Sequence, residues 1–549
     1  MAVVILGGFW VLMEIYGPAL RGPFLFDDLY LPFAHPGLQE APLRQWIGQI
    51  RPVLMFTYWL NYRLAGMEPY PYHFFSVAAH FLAGIFVWLL ARKLLESAGL
   101  EPVRRSCLAA FVALLFLWHP LQTESVAYIA GRSEVLSGLF FFAALAVFAL
   151  RAGPVISWPR ALAVLALYGA AALSKEHAAS LVAVLVLTDL YWNGGWQGVR
   201  RNWRLYVPIV AAAAAAARFV WGVLATSDTA GFGVREFAWY QYFFTQCRAL
   251  WLYFRLFLLP YGQNLDYDFP ISRTPWEHGA FLGLLGLAAL VAFVIAGRRR
   301  YRLASYGLAC ALVTLAPTSS VVPILDPVAE RRLYLVLPWL ALVPVEALSR
   351  WRASTPKLAA ALAVWLAALG VATWKRNHVW SDAIALWQDT VAKSPHKQRP
   401  RFQLAYAYYQ EGRCREALAE FEHAARLGPA DYRLLLDWGL AADCAGRLEE
   451  ALEKLRAAAK LEKTAHVHAL IGMVLGKSGR REEALEELEL AARLDPGFAM
   501  TYFYRGNVYL SAGRRQAAIA EYRRALELDP RNEAARQALE RALAGLRSP

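Results

Sequence analysis

"GRCREALAEFEHAARLGP", residues 412–429, alternates small and bulky apolar residues among charges and closes on a proline. The pattern returns. Gly-Arg recurs at 412–413, 446–447, 479–480 and 513–514, at spacings of 34, 33 and 34 residues. Ala417, Ala451, Ala484 and Ala518 follow, each a small side chain where two helices must approach closely. The units close on "LGP" at 427–429, "LEK" at 461–463, and "LDP" at 494–496 and 528–530, so the second lacks its proline at Lys463. A fixed period of this length marks a stack of helix pairs, each burying its apolar face only against its neighbours.

The repeat resembles the tetratricopeptide repeat. In the first unit Leu404, Ala405, Tyr408, Ala417, Phe421, Ala424 and Pro429 all match, and His468 and Tyr502 stand at an early aromatic position of the third and fourth. Repeats are expected at 398–431, 432–464, 465–498 and 499–532, with a half-repeat at 381–395 and a capping helix at 532–546. Such solenoids carry no chemistry of their own and offer a concave groove to a peptide or partner protein.

The rest of the chain differs in kind. Of 549 residues 58% are hydrophobic, with 20 Trp and a formal net charge of +14, and the mean hydropathy is +0.32. Acids and bases crowd together after about residue 380, whereas earlier the bases form short clusters between apolar runs. This composition points to a polytopic membrane region (1–376) followed by the repeat domain (377–549), an all-α architecture. The basic excess reads as topology signal and affinity for lipid phosphate. No basic stripe with base-stacking aromatics suggests nucleic acid. The N-terminal "MAVVILGGFWVLMEIYGPAL" has neither a basic leader nor a small-x-small cleavage site and is expected to be a retained span.

Basic clusters at Arg92–Lys93 with Arg104–Arg105, Arg151 with Arg160, Arg200–Arg201 with Arg204, Arg298–Arg302 and Arg350–Lys357 should face the cytoplasm. Apolar helices are then expected near 3–20, 71–93, 106–120, 133–150, 160–174, 177–193, 204–225, 277–296, 303–317, 331–349 and 357–374. That makes about eleven spans, with the N-terminus inside and the repeats outside. The segment 237–260 breaks the parity and carries Arg248 and Arg255 on one helical face. It reads as a re-entrant or interfacial helix, with a full span as the alternative. A further surface helix is expected within 37–66.

This topology gathers "FDDLY", "HPLQTES", "SKEH", "NLDYDFP" and "DPVAERR" on the outer face. Ionisable residues clustered at one face of an apolar bundle indicate a site. The stretches "FDDLYLPF", "RPVLMFTYWLNYRLAGMEPYPYHFFSVAAH", "HPLQTESVAYIAGRSEVLSG", "LSKEH", "NLDYDFP" and "AERRLYLVLP", in that order and followed by the repeats, resemble a known family. It is that of the transmembrane and tetratricopeptide repeat-containing O-mannosyltransferases and their bacterial relatives. These are GT-C glycosyltransferases, polytopic enzymes that take sugar from a polyprenyl-phosphate donor.

The resemblance implies that an acid of the first outer loop, Asp27 or Asp28, is the general base on an acceptor Ser or Thr hydroxyl. The donor phosphate leaves without needing an acid, provided that cations hold its charge. Lys175, Arg331 and Arg332, with Arg248 and Arg255 behind them, are the candidates for that clamp. They are equally placed to snorkel to lipid headgroups. His119, Glu124, Arg132, Glu134, Glu176, Asp266, Asp268 and Glu330 complete the polar set. Glu124 with Asp28 offers oxygen ligands for a divalent cation such as Mg or Mn, and the class does not decide whether one is used. No histidine spacing suggests zinc.

Of five cysteines, Cys107, Cys247 and Cys310 fall in apolar helices, while Cys414 and Cys444 lie in the repeats and can pair in an oxidising compartment. High Ala, Arg and Leu usage points to a GC-rich bacterial source, hence a plasma membrane with periplasmic repeats. The expected partners are a polyprenyl-phosphate-linked sugar, an acceptor protein and membrane lipid. The competing reading is a non-enzymatic membrane scaffold whose repeats recruit envelope proteins. A lipid-linked-sugar transporter is a third, against which stands the lack of an internal duplication.

Overall fold

The computed structural model describes residues 2–226 and 229–544. Among them the fold is all-α, with one isolated bridge between Ala230 and Ile324 and no strand. The chain divides into two compact units, 1–393 and 394–549.

In the first unit the apolar runs form helices where hydropathy places them. They are Ala2–Leu20, Pro69–Ser97, Pro102–Trp118, Arg132–Ala149, Trp158–Ala172, Leu181–Trp192, Trp203–Thr226, Ala280–Gly297, Arg302–Leu315, Leu337–Arg350 and Thr355–Val379. Prolines open several of them, because the first helical position needs no amide donor. Glu101 caps Pro102–Trp118 by accepting from the Val103 and Arg104 amides, both at 2.9 Å.

Pro69–Ser97 lies between Pro102–Trp118 and Arg132–Ala149. The approach is close: a Cβ at Gly84 would fall 2.7 Å from the Leu117 side chain. At the opposite end from the outer loops in the charge-derived topology, Asp189 is fully buried. It accepts from Arg151 at 2.7 Å, Asn193 and Asn202 at 2.8 Å and Tyr206 at 2.9 Å, using the full capacity of a carboxylate.

Among the described residues four helices are long and apolar enough to cross a membrane: Pro69–Ser97, Arg132–Ala149, Glu277–Gly297 and Thr355–Val379. A fifth span arises if Pro102–Trp118 and Pro120–Val126, bent by 48°, count as one. Length and composition therefore do not reach the expected count of about eleven. Several helices fall short of the ~20 residues a bilayer asks; Ile5–Leu20, Trp203–Ala214 and Arg302–Leu315 are apolar but shorter. The segment expected to be re-entrant or interfacial, with a full span as the alternative, is one unbroken helix, Trp239–Leu258. Residues 37–66 hold the short helix Leu43–Ile47 and the longer Pro52–Ala65.

In the second unit the helix pairs are Gln398–Gln410 with Cys414–Leu427, Tyr432–Cys444 with Leu448–Leu461, Ala465–Lys477 with Arg481–Leu494, and Ala499–Ser511 with Arg515–Leu528. The recurring Gly-Arg now has its reason. Gly412, Gly446, Gly479 and Gly513 turn between the two helices of each pair at φ of 70°, 75°, 80° and 73°, where a side chain is strained. Ala417, Ala451, Ala484 and Ala518 are fully buried. The capping helix spans Glu533–Ala544, and residues 545–546 of its expected range lie outside the described residues. Cys414 and Cys444 form a disulfide, with Cα atoms 5.8 Å apart.

The half-repeat helix, Ala383–Lys393, sits in the first unit, although the sequence expectation opens the repeat domain at 377. Its polar side chains explain why. Asp389 pairs with Arg376 at 2.6 Å, and Lys393 donates to the Gln263 carbonyl at 2.7 Å. Trp387 is buried with its ring 5.3 Å from that of Phe26.

Candidate active site

The first loop leaves helix Ala2–Leu20 through Gly22, which passes so near Trp380 that a Cβ would meet its carbonyl oxygen at 2.8 Å. Phe26 then takes a φ of 46°, in the left-handed region that a phenylalanine adopts only at a cost of roughly 1–2 kcal/mol. The bend separates the two acids. Asp28 is 1% exposed and turned inward: its Oδ2 accepts from the Leu25 amide at 2.9 Å and its Oδ1 from the Ala130 amide at 2.7 Å. Burial pushes its carboxyl up to about 8, against the pull of those two amides.

Asp27 is exposed. Its amide donates to the Tyr128 hydroxyl at 2.9 Å. Burial, with the neighbouring Asp28 and Asp27 carboxylates, holds the Tyr128 phenol well above its usual value. The Tyr128 ring stacks on Trp380 at 5.6 Å. Of the aromatics around the pair, Phe24 and Phe33 pack on each other and on Tyr72, whereas Tyr30 is half exposed.

Three ion pairs connect with this loop through Tyr128, which feels both acids and Arg331. Glu124, 2% exposed, holds Arg331 twice, by Nη1 at 2.6 Å and by the backbone amide at 2.9 Å. Glu134 meets the Lys175 ammonium at 2.5 Å and stands 3.3 Å from His177 Nε2. Glu176 takes Arg51 through two parallel bonds of 2.9 Å. The pairs form one electrostatic neighbourhood. Arg331 feels Glu134 and Tyr128, and Lys175 feels Arg51 and Arg331. Burial, opposed by Glu134, holds the Lys175 ammonium below the usual lysine range. The cations remain within reach of a ligand: the side chains of Arg51, Lys175 and Arg331 are 34%, 16% and 31% exposed.

The other expected site residues hold the scaffold. Glu330 is buried and fastens the segment 263–267, accepting from Gln263 at 2.5 Å and from the Asn264 amide and the Tyr267 hydroxyl at 2.6 Å. Asp266 is buried in that segment, and Asp268 beside it is exposed. Arg332 binds the carbonyls of Pro327 and Asp326 at 2.8 and 2.5 Å. Arg248 binds the Pro270 carbonyl at 2.8 Å, over the Phe269 ring. Arg255 binds the Tyr261 carbonyl at 3.0 Å.

His119 is buried, with Nε2 on the Phe257 carbonyl at 3.0 Å and Nδ1 accepting from Leu121. Arg132 is fully buried among Asn61 at 2.7 Å, the Tyr72 carbonyl at 2.9 Å and the rings of Tyr58 and Phe75. Asp28 and Glu124 do not make an open pair for a divalent cation, because amides and Arg331 occupy their oxygens. Among the described residues no group of three or more His, Cys, Asp or Glu is placed to hold a metal ion.

Arg51, Tyr128 and His177 belong to the cluster without having stood out in the sequence. Arg51 directly precedes the proline that opens helix Pro52–Ala65, and Tyr128 lies just beyond the short helix Thr123–Val126 that carries Glu124.

Tetratricopeptide repeat models match residues 402–465, 465–498 and 499–532. The human protein O-mannosyl-transferase TMTC1 is 25% identical over 486 residues, covering 75% of this chain and 54% of that protein. The protein O-mannosyl-transferase F38B6.6 of Caenorhabditis elegans is 24% identical over 440 residues, covering 76% and 61%. Among solved structures, that of YrrB, described as a TPR protein with an unusual peptide-binding site, is 22% identical. It covers 33% of this chain and 89% of that one, at a TM-score of 0.26. The chain spans little more than half the length of these two curated relatives. The chain is thus similar to protein O-mannosyl-transferases over about three quarters of its length, and its C-terminal part is built of tetratricopeptide repeats.

Proposed function

We propose that the protein transfers one sugar, mannose, from a polyprenyl-phosphate donor to a Ser or Thr hydroxyl of an acceptor protein at the outer membrane face. The repeats recruit the acceptor or a partner. The observation that carries this reading is the exposed Asp27, held by Tyr128 beside a neighbourhood of three reachable cations. Asp27 takes the proton as the hydroxyl oxygen bonds to the anomeric carbon. The bond from that carbon to the phosphate oxygen breaks, and the electron pair leaves with the phosphate, whose charge Arg331, Lys175 and Arg51 receive. A single displacement inverts the anomeric centre. Asp28 holds the loop in place and exchanges no proton in the reaction.

The test is direct. The full chain in detergent, given polyprenyl-phosphate mannose and Ser/Thr-rich acceptor proteins, should add one hexose to an acceptor by intact mass and consume donor. Unchanged acceptors and undiminished donor would sink the transferase reading. Loss of partner capture on deleting the repeats, with no transfer under any condition, would favour the scaffold.

A further inference from the structure

The repeats contain a second set of buried acids, far in sequence from the first loop. Asp437 and Asp443 lie on the first helix of the second repeat, Tyr409 on that of the first and Tyr504 on that of the fourth. Tyr409 feels both Asp437 and Asp443, and Tyr504 feels Tyr409 and Asp443. All four residues lie on first helices, which stack side by side along the repeat array, so these influences run along the face those helices build.

Neither acid is fully matched. The Asp443 side chain is 10% exposed; its Oδ2 receives the Lys477 ammonium at 2.6 Å, while its Oδ1 is buried and accepts no hydrogen bond. The Asp437 side chain is also 10% exposed, and Arg433, its ion-pair partner, stands 3.9 Å away, beyond hydrogen-bonding reach. Burial pushes the Asp437 carboxyl up to about 6, as befits a carboxylate short of compensating charge. Lys477, itself half exposed, shows which chemistry the pocket takes: an ammonium on the end of a flexible stem.

We propose that this groove binds an extended peptide segment through a lysine or arginine side chain that passes between Tyr409 and Tyr504 and ends on Asp437 and Asp443. The partner is thus a basic segment of a protein. An acidic peptide would bring like charge against two buried carboxylates. The proposal deepens the reading of the repeats as the recruiting surface and does not use the transfer chemistry. Binding is measured without donor, so a failure of transfer and a failure of this groove are separate results.

The experiment is fluorescence anisotropy on the full chain in detergent, with a labelled Gly-Ser-Ala peptide carrying lysines and arginines, and its glutamate counterpart. The basic peptide should bind at least about tenfold tighter, and added salt should weaken it. Asp443→Asn and Asp437→Asn should each weaken binding about tenfold, while Lys477→Met, which opens Asp443 without touching a buried acid, should tighten it. Equal affinity for both peptides would overturn the proposal, as would undiminished binding by Asp443→Asn. So would Lys477→Met leaving affinity unchanged in a folded chain.

Discussion

The Asp27 amide donates to the Tyr128 hydroxyl at 2.9 Å, so one buried tyrosine holds the exposed acid by its backbone. The neighbouring Asp28 is held by backbone amides instead. Adjacent residues of one type therefore have different duties, and substitution should separate them. Asp27→Asn is expected to lower transfer by about 10²–10⁴-fold, the usual worth of a general base, with thermal unfolding unchanged. Tyr128→Phe, which keeps the ring on Trp380, should lower transfer less.

Asp28 should report in stability and its pH dependence. Its folded carboxyl is raised to about 8, above an unfolded value of about 3.9. It binds its proton more tightly when folded. Its contribution is thus fully present below about pH 3.9 and is lost as pH rises through about 8. The melting temperature in detergent should fall across that interval, and Asp28→Asn, which cannot ionise, should flatten the fall. A parallel dependence in both chains would count against the buried acid as its source.

Glu124 is the anchor of Arg331. Glu124→Gln leaves the guanidinium without its counter-charge and is expected to cost about 2–3 kcal/mol. This is less than the ~3–5 kcal/mol of a fully buried pair, because 31% of the Arg331 side chain is exposed. Denaturant unfolding measures it. Lys175→Met and Arg51→Met should each raise the donor KM about 10–100-fold, the worth of one charge-assisted hydrogen bond. An effect on acceptor KM alone would place these cations elsewhere in the reaction.

The disulfide Cys414–Cys444 closes a loop with a sequence separation of 30. Removing it by Cys414→Ser with Cys444→Ser should destabilise the repeats by roughly 3–4 kcal/mol on the chain-entropy account. Reducing agent should have the same effect on the parent chain and none on the double variant.

Helices were the legible part. Runs such as 71–93 and 357–374 contain so little besides apolar residues that burial leaves them one conformation, and the Gly-Arg period gave the repeats. Chain order alone does not tell Asp27 from Asp28: the choice rests on the Ala130 amide, which only the folded chain brings near. Arg51 was invisible for the same reason, since its partner Glu176 lies on a distant loop. The half-repeat helix misleads in the other direction. Its pattern fits a repeat, yet the ion pair to Arg376 and the bond to Gln263 hold it in the first unit.

That last attachment decides where the chain can be cut. Ending it at residue 376 to remove the repeats would also discard Trp380, Trp387, Asp389 and Lys393. Arg376, 8% exposed, would then lose its counter-charge, the Tyr128 ring its stacking partner, and the Gln263 carbonyl its donor. Ending it at 393 keeps all of these. An inactive chain cut at 376 would therefore say nothing about the repeats, whereas one cut at 393 isolates their contribution.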